Sequence, residues 1–97
     1  MREYKINCSN INSRLSLHCT LSEALSFPDW YGNNLDALYD CLTDMAEPSR
    51  IVLEYWQQAE EALGDHGRTA RMVMELAAKN NPALTLLIPE TEPEEAQ

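Results

Sequence analysis

The stretch that decides the fold is WYGNNLDALYDCLTDM, residues 30–45. Its Leu35, Leu38, Leu42 and Met45 recur at three- and four-residue intervals, which places them on one face of a helix capped by Asn33 or Asn34. The same helix carries Asp36, Asp40 and Asp44 four residues apart, so three carboxylates share a face, and Tyr39 and Thr43 fall largely on that outer side. Aspartate is roughly 0.5 kcal/mol worse than alanine inside a helix, and each like-charged i,i+4 pair repels by about 0.2–0.5 kcal/mol. Asp36 gains from the positive end of the helix dipole, whereas Asp44, in the last turn, loses from the negative end. The carboxylates oppose the helix that bears them, so Asp40 and Asp44 need a reason other than local stability.

Outward from this helix the chain alternates strands and helices. Residues 3–8 (EYKINC) set Tyr4, Ile6 and Cys8 against polar neighbours, the two-residue period of a strand with one covered face. Asn12 and Ser13 suit the cap of a helix over about 14–25, whose Leu17, Leu21 and Leu25 form a core-facing row. Phe27-Pro28 ends that helix, because the residue before proline is pushed out of helical space; Gly32 is available for a positive φ in the loop that follows. After Pro48 and Ser49, RIVLEY (50–55) reads as a buried strand. A short helix near 57–63 stops at Gly64. A longer helix over about 68–80 turns Ala70, Val73, Leu76 and Ala77 inward, and Asn80-Asn81-Pro82 breaks it. LTLLI (84–88) is continuous enough for a strand buried on both faces. The order β-α-α-β-α-α-β joins strands through helices, so the expected fold is α/β, a three-stranded parallel sheet covered by four helices with right-handed crossovers.

The 97 residues suffice for one domain, placed at 1–89, with an acidic tail at 90–97 that is expected to be disordered. Sixteen carboxylates against 7 basic residues give a net charge of −9, and setting aside Glu90, Glu92, Glu94 and Glu95 of the tail still leaves −5. An acidic body argues against nucleic acid or an anionic membrane as direct ligand and favours a basic partner. Cys8, Cys19 and Cys41 are odd in number and widely spaced, without CxxC or a Cys/His cluster, and read as reduced, core-filling thiols. The N-terminus MREYKINCSN lacks the apolar run of a signal peptide, and no segment approaches the ~20 apolar residues of a membrane span. The cytoplasm is the expected compartment.

The chemistry-bearing residues narrow the function. Carboxylates on successive helical turns, about 6 Å apart at Cα, do not reproduce the looped DxDxDG spacing that wraps calcium, so no metal is expected. General acid/base catalysis needs a carboxylate with a raised pKa in a desolvated pocket, which an exposed row does not supply. His18 reads as a half-buried packing residue and His66, in LGDHG, as a solvated turn residue; neither sits at a spacing that identifies a triad. Gly32, Gly64 and Gly67 form neither GxxxxGK nor GxGxxG. No cofactor and no catalysis are expected. Protein binding remains: Trp30 and Tyr31 stand beside the carboxylates, with Tyr39 on the helix, and aromatics ringed by charge suit the centre of an interface. The same aromatics equally suit cover for the core edge. A row of acids also resembles the charge pattern of a phosphodiester strand, which is what a basic nuclease cleft receives.

The segment FPDWYGNNLDALYDCLTDM (27–45) resembles the signature of the barstar family, small bacterial ribonuclease inhibitors, whose pattern is close to LPxYYGxNLDALWDCLT. Pro28, Tyr31, Gly32, Asn34, Leu35, Asp36, Ala37, Leu38, Asp40, Cys41, Leu42 and Thr43 fit it in unbroken register. Weaker similarity runs through LHCTLSEAL and IVLEY to LTLLI, covering most of residues 1–88. The resemblance implies the fold just derived and a stoichiometric inhibitor whose loop and second helix plug a ribonuclease cleft. It implies that Trp30 packs on the enzyme where the family has tyrosine, and that Gly32, Asn34 and Leu35 are contact positions. Asp36 and Asp40 match the two aspartates that meet the enzyme's basic phosphate-binding residues, Asp40 being dominant. Tyr39 and Met45 replace family tryptophans and Asp44 a glycine, so contacts at the rim differ; Tyr31 and Thr43 complete the expected face. The family also uses a glutamate of the last helix, for which Glu75 is the candidate.

The expected partner is a bacterial ribonuclease or nuclease toxin with a basic active site, bound one-to-one, with this chain as its immunity protein. An acidic regulatory or scaffold domain with a non-nuclease partner is the competing class.

Overall fold

The structure, a computed structural model, describes residues 2–89, so the tail at 90–97 lies outside the described residues. In chain order the elements are β1 (Arg2–Asn7), α1 (Arg14–Leu25), α2 (Leu35–Thr43), β2 (Ser49–Glu54), α3 (Trp56–Leu63), α4 (Asp65–Asn80) and β3 (Leu84–Leu87). The strands run parallel in the order β1-β2-β3, with Ile6 opposite Leu53 and Ile51 opposite Leu86. Three parallel strands and four helices are the architecture expected from the sequence.

The sheet departs from expectation in its exposure. Tyr4, Ile6, Ile51, Leu53, Leu84 and Leu86 belong to the core, whereas Glu3, Lys5, Arg50, Val52 and Leu87 alternate onto an opposite face and line a shallow depression there. Leu87 is 38% exposed, so β3 is covered on one face and not on both. Topology explains this. Right-handed crossovers that always advance in the same direction along a sheet place all their helices on the same side. Only a reversal of direction would bring a helix to the other face, and an order of β1-β2-β3 contains none.

Local chemistry sets the helix ends. The Ser13 hydroxyl accepts from the Ser16 N–H at 3.1 Å, and the Ser16 hydroxyl accepts from the Ser13 N–H at 3.0 Å, a reciprocal cap that starts α1. Leu17, Leu21 and Leu25 then face the core, and α1 ends at Ser26 with φ 56°. In α3, the fully buried Trp56 donates its indole N–H to Glu60 at 2.7 Å, and Arg71 of α4 donates to the same carboxyl at 2.8 Å. The Arg71 guanidinium holds the Glu60 carboxyl below its ordinary pKa, and the pair ties α3 to α4. Asn81, buried just past α4, donates from its amide nitrogen to the carbonyls of Leu42 at 2.9 Å and Met45 at 3.0 Å. Its amide oxygen accepts from the Ala83 N–H at 3.0 Å, which leads into β3.

Helix α4 begins at Asp65 rather than near residue 68, and its buried row is Gly67, Ala70, Met74 and Ala77. Val73 and Leu76, expected inward, lie one step round the helix; Val73 is half-buried and Leu76 exposed. Rows 70-73-77 and 70-74-77 are both helical spacings, and the flexible thioether of Met74 fills the core where a branched side chain was expected. Cys8 and Cys41 are buried free thiols, but Cys19 is exposed, because its position follows the inward pair Leu17 and His18 round α1.

Gly67 sits at a close approach of α4 to α3. A Cβ there would lie 2.9 Å from the Glu60 Cα and 3.1 Å from the Leu63 Cβ. Alanine would gain about 1 kcal/mol of helix propensity and lose roughly 1–3 kcal/mol to overpacking against backbone. Gly67→Ala is therefore expected to lower the thermal midpoint; an unchanged or raised midpoint in calorimetry would show that the two helices separate freely.

Candidate protein-binding face

The loop between α1 and α2 is built from residues that each have a local task. The Tyr31 N–H donates to the Pro28 carbonyl at 3.0 Å, closing a turn that leaves Trp30 64% exposed. Tyr31 itself is half-buried: its ring packs on Phe27 at 4.9 Å, and its hydroxyl lies 2.6 Å from Nδ1 of His18, a residue only 1% exposed. Positive φ falls on Asn33, at 54°, and not on Gly32. The absence of a side chain at Gly32 serves a close approach instead, since a Cβ there would lie 2.9 Å from the Asn34 amide nitrogen. Asn34 then caps α2, accepting from the Ala37 N–H at 2.8 Å while donating to the Gly32 carbonyl at 3.2 Å.

Helix α2 buries Leu38, Cys41 and Leu42, while Leu35 is half-buried and Met45, just past the helix, packs against the core edge. Asp36 and Asp40 point outward, and Asp44 stands at the C-cap, one residue beyond the last helical turn. The Thr43 hydroxyl donates back to the Tyr39 carbonyl at 2.9 Å, and the Tyr39 hydroxyl accepts from the Asn80 amide at 2.8 Å. Tyr39 thereby bridges α2 to the end of α4.

The three aspartates do not face one site. Asp36 and Asp40 line a groove between α2 and α4 with Leu35, Tyr39, Val73 and Leu76. Asp44 lines a second depression on the other flank of α2, with Phe27, Pro28, Trp30, Cys41 and Met45. Glu75 is in neither; it reaches Arg71 at 3.8 Å along its own helix. Among the described residues every ion pair lies elsewhere, on Arg2, Arg50, Arg68 and Arg71, so Asp36, Asp40 and Asp44 carry uncompensated charge. Burial, and after it Asp40 and Asp44, push the Cys41 thiol above its ordinary pKa, which keeps it protonated. Among the described residues no group of three or more His, Cys, Asp or Glu could hold a metal, and no helix is long and apolar enough to cross a membrane.

Residues 1–88 match the profile of the family described as Barstar (barnase inhibitor). This chain belongs to the barstar family. A Bacillus subtilis (strain 168) protein named "Putative ribonuclease inhibitor YrdF" is 39% identical over 67 residues, spanning 68% of this chain and 74% of that relative. Members of the barstar family are inhibitors rather than enzymes, and the loop and helix just described are the segment that resembles the family signature.

Several residues that shape this face carry no motif. His18 follows Leu17 on the inward arc of α1, and that periodicity is the one signal of its burial. His66 is not a solvated turn residue: it lies in the first turn of α4, its ring is 5.9 Å from that of His18, and its buried Nε2 has no hydrogen-bond partner among the described residues. Asn80 and Asn81 read only as a helix stop, and nothing in their spacing reveals the groups they bind.

Burial, and then the neighbouring His66, lower the His18 pKa; burial, and then Arg14, lower that of His66. The folded state therefore disfavours both imidazolium forms. Unfolded chains take up protons first as pH falls, so this contribution is complete above about pH 6.5 and is lost below it, by at most about 1.4 kcal/mol per pH unit for each histidine. Urea midpoints are expected to drop between about pH 7.5 and about pH 5.5, above the carboxylate range, and His18→Gln to flatten the drop. A flat wild-type profile over that interval would show that the pair is solvated.

Proposed function

We propose that this barstar-family protein is a stoichiometric inhibitor that blocks the basic active site of a bacterial ribonuclease or related nuclease toxin. The observation that carries the reading is the pair Asp36 and Asp40: two carboxylates without ion-pair partners among the described residues, on a helix that their mutual repulsion weakens, open to solvent in one groove. Cationic residues that grip substrate phosphates would supply the missing charge. Family membership and the name of the Bacillus subtilis relative support the same class of partner.

The protein binds one-to-one and contributes no catalysis; it acts in the cytoplasm of the producing cell, as an immunity protein against its own toxin. Asp40 and Asp36 meet the phosphate-binding residues. Trp30, Tyr31, Gly32, Asn34 and Leu35 form the rest of the plug, with Tyr31 held from beneath by His18. Tyr39, Thr43 and Met45 border it, and Asp44 adds charge beside Trp30, where the net −9 of the chain already steers a basic protein inward. Glu75, exposed beside Leu76 and 3.8 Å from Arg71, supplies the contact from the last helix.

Co-expression with a lethal secreted-type ribonuclease, barnase first, tests the reading directly. Survival only in the presence of this chain is expected; no protection and no binding would leave an acidic regulatory domain as the better description. Asp40→Ala is expected to weaken the complex by roughly 2 kcal/mol or more, as for an interface hot spot, mostly through dissociation. Asp44→Ala is expected mainly to lower the association rate and its salt dependence. In the free protein, both changes are expected to raise stability by a few tenths of a kcal/mol by relieving repulsion and the dipole penalty. Equal and small binding effects would mark the aspartates as ordinary surface.

A further inference from the structure

The groove between α2 and α4 has two chemically different walls. Asp36 and Asp40 form the α2 wall; Val73 and Leu76 form the α4 wall. The apolar side continues past Leu76, because Met72, Val73 and Leu76 line an adjoining depression with Thr69, Glu75 and Lys79. Met72 is 63% exposed and Leu76 50%, so neither contributes much to the core. No carboxylate of α4 lines the groove itself; Glu75, 3.8 Å from Arg71, borders the adjoining depression. An unpartnered apolar helix side thus runs directly into two uncompensated carboxylates.

We infer that the partner reads both walls at once: cationic groups opposite Asp36 and Asp40, and beside them an apolar side chain of the same protein that packs on Leu76, Val73 and Met72. The inference rests on the inhibitor reading above and adds its specificity element, in which α2 selects by charge and α4 by apolar fit. Charge argues for this occupant over others. A second copy in a two-fold contact centred on this groove would bring Asp36 and Asp40 against their own equivalents, and a nucleic acid would add phosphates to the same carboxylates. A small cation would satisfy the acids and leave the apolar wall wet. A basic cleft with an apolar rim covers both, and apolar contact around the ion pairs excludes water from them.

Catalytically inactivated barnase is the probe, with rates from stopped flow and affinities from calorimetry on the full chain. Leu76→Ser and Met72→Ser are each expected to weaken binding about 10-fold to 30-fold through faster dissociation, with the association rate and its salt dependence unchanged. Leu76→Met is expected to retain affinity. Leu15→Ser removes a comparably exposed leucine from α1 and is expected to change nothing. Weakened binding in Asp40→Ala with full binding in both serine variants would overturn the apolar wall and leave the charge reading intact. Full binding in Asp40→Ala would overturn the charged wall, and this inference with it, while leaving inhibition standing; no binding by the unaltered chain would overturn both.

Discussion

The side-chain amide of Asn81 satisfies the Leu42 and Met45 carbonyls at the end of α2 and the Ala83 N–H at the start of β3. A helix end leaves up to four carbonyls without intrahelical partners, and a buried unsatisfied group costs about 1–3 kcal/mol. One buried side chain thus satisfies a carbonyl in the last turn of α2 and another just past it, and fastens the end of α2 to the strand that follows α4. Asn80 adds the bond to the Tyr39 hydroxyl. Because the groove has one wall on each helix, its width depends on these two neighbouring amides. Together with the packing of α2 on α4, Asn81 fixes the spacing of the carboxylates and the apolar wall.

Against that frame the carboxylates are a local cost that the packing absorbs. Asp36 and Asp40 repel one another on α2, and Asp44 stands at the unfavourable end of the dipole. Leu38, Cys41 and Leu42, all buried, together with the Asn34 and Asn81 caps, outweigh penalties of a few tenths of a kcal/mol each. The helix can therefore carry charge that its own propensity would reject.

Element order, the inward rows of α1 and α2 and the Asn34 cap were legible because each rests on a short-range rule: period, cap chemistry or the exclusion of helix before proline. The exposure of β3 was not, since LTLLI states only that a strand is apolar; which face is covered follows from the direction in which the chain crosses the sheet. The choice of Met74 over Val73 on α4 was equally hidden, because both fit a helical period and only the elements packed against α4 decide between them. At the candidate site, the loop and the outward aspartates followed from the motif. The division of Asp36 and Asp40 from Asp44, the support of Tyr31 by His18, and the apolar α4 wall depend on residues more than 10 positions distant and have no sequence signature.

The loop from Pro28 to Asn34 has one further consequence. Its turn is closed by the Tyr31 N–H, its aromatic anchor is pinned to a buried histidine, and Asn33 already occupies the left-handed region that most residues avoid. Ordering a backbone residue costs about 1–2 kcal/mol of conformational entropy, and here that cost is met when the protein folds. A partner that engages this loop encounters a segment with little freedom left to lose, so contacts of modest area can yield a slow rate of escape.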